Sequence, residues 1–168
     1  RGDLLHCDVG IRYMGLTTDM QHLAYVCKLD ESDAPQGLKD LYAKGIRLQE
    51  IVLEEMVEGR SGNDILKSVL ERGKAEQLQP WMYSHPVNYY GHGSGMTIGR
   101  TDNQEFLPGT GEHPLYPNTT YAMEFSVSGE VPEWDDTLVR MGFEDNILFD
   151  GEKAMLIDGY PQELYIIR

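Results

Sequence analysis

The chain has 168 residues, 28 acidic and 14 basic, for a formal net charge of −14 and a pI near 4.6. That balance argues against direct nucleic-acid binding, which needs a basic surface to displace counterions, and leaves metal cations and basic partners open. With 40% hydrophobic residues and no apolar run long enough to span a bilayer, the length fits one compact domain, or part of a larger one, away from a membrane.

The first stretch, "HCDVGIRYMGLTTDMQHLAYV" (6–26), mixes strand-forming residues with Gly10, Gly15 and two threonines, which reads as a hairpin or short meander. Asp8 and Asp19 stand where apolar residues are expected. Eleven residues apart, they can face one another across such a turn. Two like charges that close call either for a cation between them or for solvent around them. Cys7 and Cys27 are the only cysteines, and a hairpin that faces Asp8 with Asp19 does not bring them together. Both therefore read as buried structural thiols without a bridge.

Ser32-Asp33-Ala34-Pro35 supplies helix-start signals, and Leu38, Leu41, Tyr42, Ile46, Ile51, Val52 and Met56 recur at helical spacing up to Gly59. This predicts a long amphipathic helix. Ser61 caps a second, shorter helix through Ile65, Leu66, Val69 and Leu70, ending near Gly73, and the pair is expected to lie on a sheet. From Trp81 onward, short strands are broken by glycine and proline, and residues 103–117 read as loop. "TTYAMEFSVSG" (119–129) alternates as a strand, with Tyr121, Met123, Phe125 and Val127 on one face and Glu124 on the other. "LVRMGFEDNILFDGEKAMLID" holds two or three further strands, with Asp150-Gly151 as a tight turn. Strands, helices, strands give an α+β layer.

Glu124 and Glu144 repeat the opening pattern of an acid inside an apolar strand. Two strand pairs, one before and one after the helices, thus each offer two carboxylates, as an internal duplication would. Four converging carboxylates demand more than one positive charge, and a two-metal site answers that demand.

These segments resemble the pita-bread metallopeptidases, the family of Xaa-Pro aminopeptidase, prolidase, methionine aminopeptidase and creatinase. "GDLLHCDVGIRYMGLTTDM" is similar to the stretch with the first two metal ligands, with the same eleven-residue step. "TTYAMEFSV" and "VRMGFEDNILF" are similar to the segments that carry the two ligand glutamates. The likeness is greatest to Xaa-Pro aminopeptidase and prolidase. It implies an α+β pita-bread fold, an antiparallel curved sheet covered by helices, with 1–168 as the C-terminal part of the catalytic domain. A preceding N-terminal portion is expected, and with it either a partner segment or a homodimer to cover the open sheet edge.

The resemblance also implies a dinuclear site of manganese, cobalt or zinc, in which Asp8 chelates one metal and Asp19 and Glu144 bridge. Glu124 joins the metal that takes a histidine, and handles the proton of the attacking water. The family's histidine motif departs here. It runs histidine, three residues, ligand histidine, then glycine three further on and another histidine four after that. "HGSGMTIGRTDNQ" sets His92, Met96, Gly99 and Asn103 on these positions. Met96, a soft thioether, is a poor ligand for such metals. His92 is the expected nitrogen donor through a shift of register, His85 is a second candidate, and loss of metal and activity is a third outcome.

The expected metal ligands are therefore Asp8, Asp19, His92, Glu124 and Glu144, with Glu124 and His92 catalytic. The implied function is hydrolysis of the N-terminal residue from Xaa-Pro peptides. The alternatives are a pita-bread binding module without catalysis and a creatinase-like hydrolase. "GHGSGMTIG" lacks the Lys-Ser/Thr of a phosphate loop. Trp81, Tyr83, Tyr89 and Tyr90 flank the histidines and are either packing or the wall of a proline pocket.

Overall fold

The computed structural model describes residues 1–89, 91–159 and 163–168, so Tyr90 of the expected aromatic wall lies outside them. Four strands open the chain: β1 (Asp3–Val9), β2 (Arg12–Tyr13), β3 (Leu16–Thr17) and β4 (Met20–Val26). Helices α1 (Gln36–Glu55) and α2 (Gly62–Ala75) follow. Then come β5 (Trp81–Asn88), β6 (Gly91–His92), β7 (Thr119–Val131), β8 (Thr137–Phe149), β9 (Ala154–Leu156) and β10 (Tyr165–Ile167).

Among the described residues, eight strands form one sheet in the order β1-β4-β8-β7-β5-β6, with β9 on β8 and β10 parallel to β4. The other pairings are antiparallel. The two acid-bearing strand pairs, β1–β4 and β7–β8, thus lie side by side, as the curved antiparallel sheet of the expected pita-bread fold requires. Their junction is narrow: β4 meets β8 at the single register position Gln21↔Glu144.

Alternation in β7 and β8 turns Phe125 and Phe143 toward the helices, where their rings stack 5.2 Å apart. Helix α1 buries Leu38, Leu41, Leu48, Ile51 and Val52 on this face. Each such side chain contributes roughly 1.5–3 kcal/mol by leaving water. Close approach is possible because Gly45 has no side chain. A Cβ there would lie 2.0 Å from Cζ of Phe143. The same face of the sheet therefore cannot hold the polar site, and Glu124 and Glu144 point to the other side.

The helix starts differ in how they are closed. Ser61 and Asp64 form a reciprocal capping box on α2, as the serine suggested. Ser32 does not cap α1; that helix begins after Pro35, and a carboxylate from the 3₁₀ turn at Pro132–Trp134, Glu133, accepts from the Gly37 N–H at 3.1 Å. No helix among the described residues is long and apolar enough to cross a membrane.

Two expectations for the opening segment need correction. The direct partner of Asp8 is Gln21 rather than Asp19, because the small β2–β3 hairpin lengthens the connection. Cys7 is exposed and only Cys27 is buried; both are free thiols. β1 is the end of the sheet order, so the face of Cys7 is not covered by a further layer.

Candidate metal centre

On the face away from the helices, acids from both strand pairs converge. Ligand atoms of Asp8, Asp19 and Glu144 lie within 4.8 Å of one another, and so do those of His85, Glu124 and Glu144. A third group, Asp19, His85 and His92, shares members with both. Glu124 and Glu144 are directly opposed across β7 and β8, and Tyr83 on β5 opposes Glu124 from the other side. Asp8 lies at the exposed rim, whereas Glu144 is 1% exposed.

The electrostatics of this arrangement are those of like charges held together. Burial, and then the charges of Glu124 and Asp19, push the Glu144 carboxyl up to about 9, against the opposing hydrogen bond from Gln21. His6 Nε2 lies 2.8 Å from Gln21 Oε1, an atom that can only accept, so the imidazole donates and leaves the Gln21 amide N–H groups for Glu144. Tyr83 is raised as well, by burial first and then by Glu124 and Asp19.

His85 is the histidine built into this centre. Its Nδ1 is 3.0 Å from the Pro86 carbonyl, which fixes the proton on Nδ1. Nε2 then faces Glu124 Oε1 at 3.2 Å and Asp19 Oδ2 at 3.9 Å. A neutral Nε2 lone pair opposed to a carboxylate oxygen at that distance is repulsive unless a proton or a cation lies between them. Burial works against the imidazolium, but the Glu124 hydrogen bond, the Pro86 carbonyl and the charges of Glu124 and Asp19 outweigh it and hold His85 above the usual histidine range. A ring whose second N–H is anchored on a backbone carbonyl is the arrangement in which imidazoles ligate metals. The donor set thus fits divalent cations: hard carboxylates and one oriented imidazole, crowded enough that a proton must otherwise fill the gap.

His92 occupies a different place. Its ring stacks on His85 at 3.8 Å, its Nε2 is 3.6 Å from Asp19 Oδ2, and its side chain is 64% exposed. Met96 lies outside the centre: it is fully buried in the hydrophobic core, where its Sδ would be 2.9 Å from a Cβ on Gly62. Asn103 caps a loop through Glu105 N–H and Arg100, likewise apart from the acids. Of the two candidate histidines, His85 is thus buried against Glu124, and His92 is exposed beside Asp19. The usable signal was the seven-residue step from the ligand histidine to the last histidine of the motif, which His85 and His92 reproduce, with Asn88 in place of the glycine.

Two cavities flank the centre. One of about 400 Å³ is bounded by Leu4, His6, Trp81, Glu124, Ser126 and Arg140. Arg140 is fixed there by its Nε–H to Ser126 Oγ at 2.8 Å and by stacking on Trp81 at 4.6 Å. The other, about 540 Å³, is bounded among others by Thr18, Met20, Tyr89, Thr120 and Asn146.

The profile of metallopeptidase family M24 matches residues 1–150. The chain belongs to metallopeptidase family M24. This M24 chain is similar in fold to an X-Pro aminopeptidase from Thermotoga maritima, with a TM-score of 0.73 and 14% identity over 99% of the chain. It is similar also to a prolidase from Thermococcus sibiricus (TM-score 0.64, 15% identity, 99% of the chain). A third likeness is to the N-terminal domain of the FACT complex subunit SPT16 from Eremothecium gossypii (TM-score 0.68, 11% identity, 99% of the chain). The chain spans 42%, 41% and 37% of those three structures respectively. No match was found among curated protein sequences. M24 membership and these neighbours bear out the expected family and the pita-bread fold; divalent metals are the family's general cofactors.

Proposed function

We propose that this M24 chain carries the metal-binding part of an exopeptidase that removes the N-terminal residue from Xaa-Pro peptides at a dinuclear site. In this reading Asp8, Asp19, His85, Glu124 and Glu144 would hold the ions. The supporting observation is the Nε2 of His85, set by the Pro86 carbonyl to face Glu124 and Asp19 with its lone pair. It favours His85 over His92 as the nitrogen donor.

Two bound divalent cations would polarise the scissile carbonyl and lower the pKa of water. The residues' own tasks follow from their positions. Glu124, with Oε1 3.2 Å from His85 Nε2 and partly open to the cavity, accepts and returns a proton at its carboxylate. His92, exposed above Asp19, offers a ring N–H to the peptide. Leu4, Leu23 and Trp81 give the cavity beside Glu124 an apolar lining suited to a proline ring. Arg140 supplies a charged donor for the peptide's carboxylate.

The test is hydrolysis of Ala-Pro by the full-length protein with Mn²⁺, Co²⁺ or Zn²⁺ and its loss in chelator. Metal-dependent release of alanine is expected; a metal-loaded, folded protein that leaves Xaa-Pro dipeptides intact overturns the reading.

A second reading is a binding module without chemistry, favoured by the fold shared with the N-terminal domain of a FACT complex subunit. In that reading protons held on Glu144 and His85, rather than cations, would offset the clustered carboxylates. Intact folding with no bound metal would favour it.

A further inference from the structure

Asp19 differs from the other three acids in how its backbone is held. Asp8 lies in the β1–β4 ladder, and Glu124 and Glu144 lie in the β7–β8 ladder. Asp19 belongs to no strand; it sits between β3 and β4. The single β4–β8 position, Gln21↔Glu144, if continued two residues outward, sets Asp19 against Asn146. No backbone ladder forms there. Instead the Asn146 side chain spans the gap: its Oδ1 accepts from the Asp19 N–H at 3.2 Å, and its Nδ2–H donates to the Asp19 carbonyl.

One carboxamide thereby reproduces both hydrogen bonds that a facing antiparallel strand would give. Because a side chain rather than a backbone makes them, the two strands stand further apart than ladder spacing at this point. Asn146 is partly buried and lines the cavity of about 540 Å³ that opens in the gap, together with Thr18 and Met20. Asn146 follows Glu144 by two residues on the same strand face, so one rigid stretch of β8 carries a ligand and also the anchor of another ligand.

We propose that Asn146 is the positioning residue of the metal centre, holding Asp19 where its carboxylate can be shared by two cations. This rests on the dinuclear reading above. Loss of the carboxamide removes both hydrogen bonds to the Asp19 backbone and leaves its segment held through the β2–β3 hairpin, the Thr17 hydroxyl on the Tyr89 carbonyl and β4, so the cation that depends most on Asp19 loses affinity while the acids in the ladders keep theirs.

The experiment compares wild-type protein with Asn146→Ala and the near-isosteric Asn146→Leu, by calorimetric titration with Mn²⁺ and by electron paramagnetic resonance. Wild type is expected to bind two Mn²⁺ with an exchange-coupled spectrum. The variants should keep one site, weaken the second about 10- to 100-fold and lose the coupled signal, while their metal-free circular dichroism is unchanged. Thr120→Ala, which alters the same cavity without touching Asp19, should leave both sites intact. A folded Asn146 variant with two sites of wild-type affinity and a coupled spectrum overturns the inference alone. A wild type that binds no Mn²⁺ overturns the dinuclear reading and this inference with it. Should neither variant fold, exchange of the Asp19 amide in wild type decides: protection is expected, and exchange at the rate of an open loop overturns it.

Discussion

Glu124 and Glu144 occupy one cross-strand pair, each the direct neighbour of the other across β7 and β8. Side chains so placed are about 5 Å apart at Cβ, and like charges at that separation destabilise a sheet. The fold tolerates the pair by keeping a proton on Glu144, which is buried, in the metal-free state.

A pH dependence follows. The unfolded Glu144 releases its proton near 4.5, while the folded one holds it up to about 9. Between these values the folded state binds more protons than the unfolded state, so metal-free stability falls as pH rises. The slope from this one group is at most about 1.4 kcal/mol per pH unit. His85, held above the histidine range, acts with the same sign. Urea midpoints measured from pH 5 to pH 8 should decline, and Glu144→Gln should flatten the decline. Metal must displace these protons, so Mn²⁺ affinity should rise over the same range.

The two histidines should separate cleanly. His85→Ala removes an oriented donor and should lose at least one equivalent of metal. His92→Ala should retain both equivalents and lower Xaa-Pro hydrolysis about 100-fold or more, the scale of a lost proton-transfer or hydrogen-bond partner. Metal analysis beside turnover of the full-length protein reads both.

Arg140 should govern affinity for the peptide rather than for metal. A hydrogen bond to a charged group is worth about 1.5–3 kcal/mol, so Arg140→Met should raise KM for Ala-Pro roughly 10- to 100-fold with unchanged metal content. An amidated dipeptide should be insensitive to the substitution.

The packing of α1 on β8 offers a test of the scaffold. Gly45→Ala places a methyl within van der Waals overlap of the Phe143 ring. The expected loss is about 1–3 kcal/mol, the usual cost of overpacking, measured by urea unfolding at fixed pH.

The scaffold was legible in the sequence because its signals are local. Apolar spacing from Leu38 to Met56 marked α1, Ser61 marked the start of α2, and the alternation from Thr119 laid out β7. The acids were legible as polar residues in apolar strands. The pairing register was not, since the β2–β3 hairpin between Asp8 and Asp19 depends on tertiary contacts such as Arg12 over the Tyr89 ring at 4.0 Å. His85 was obscured by a competing glycine-rich match whose Met96 turns out to serve the core beneath α2. Asn146 carried no local signal at all, because its role arises only where two distant strands diverge.

Acids from β1, β7 and β8 converge with Asp19 and His85 on one face of the sheet, and the proposed role of that cluster is to hold divalent cations. Calorimetric titration of the metal-free protein with Mn²⁺ at neutral pH tests it most directly. The expected result is about two equivalents bound, with protons released to the buffer as Glu144 and His85 give theirs up. A folded protein that takes up no Mn²⁺, Co²⁺ or Zn²⁺ and releases no protons would contradict it.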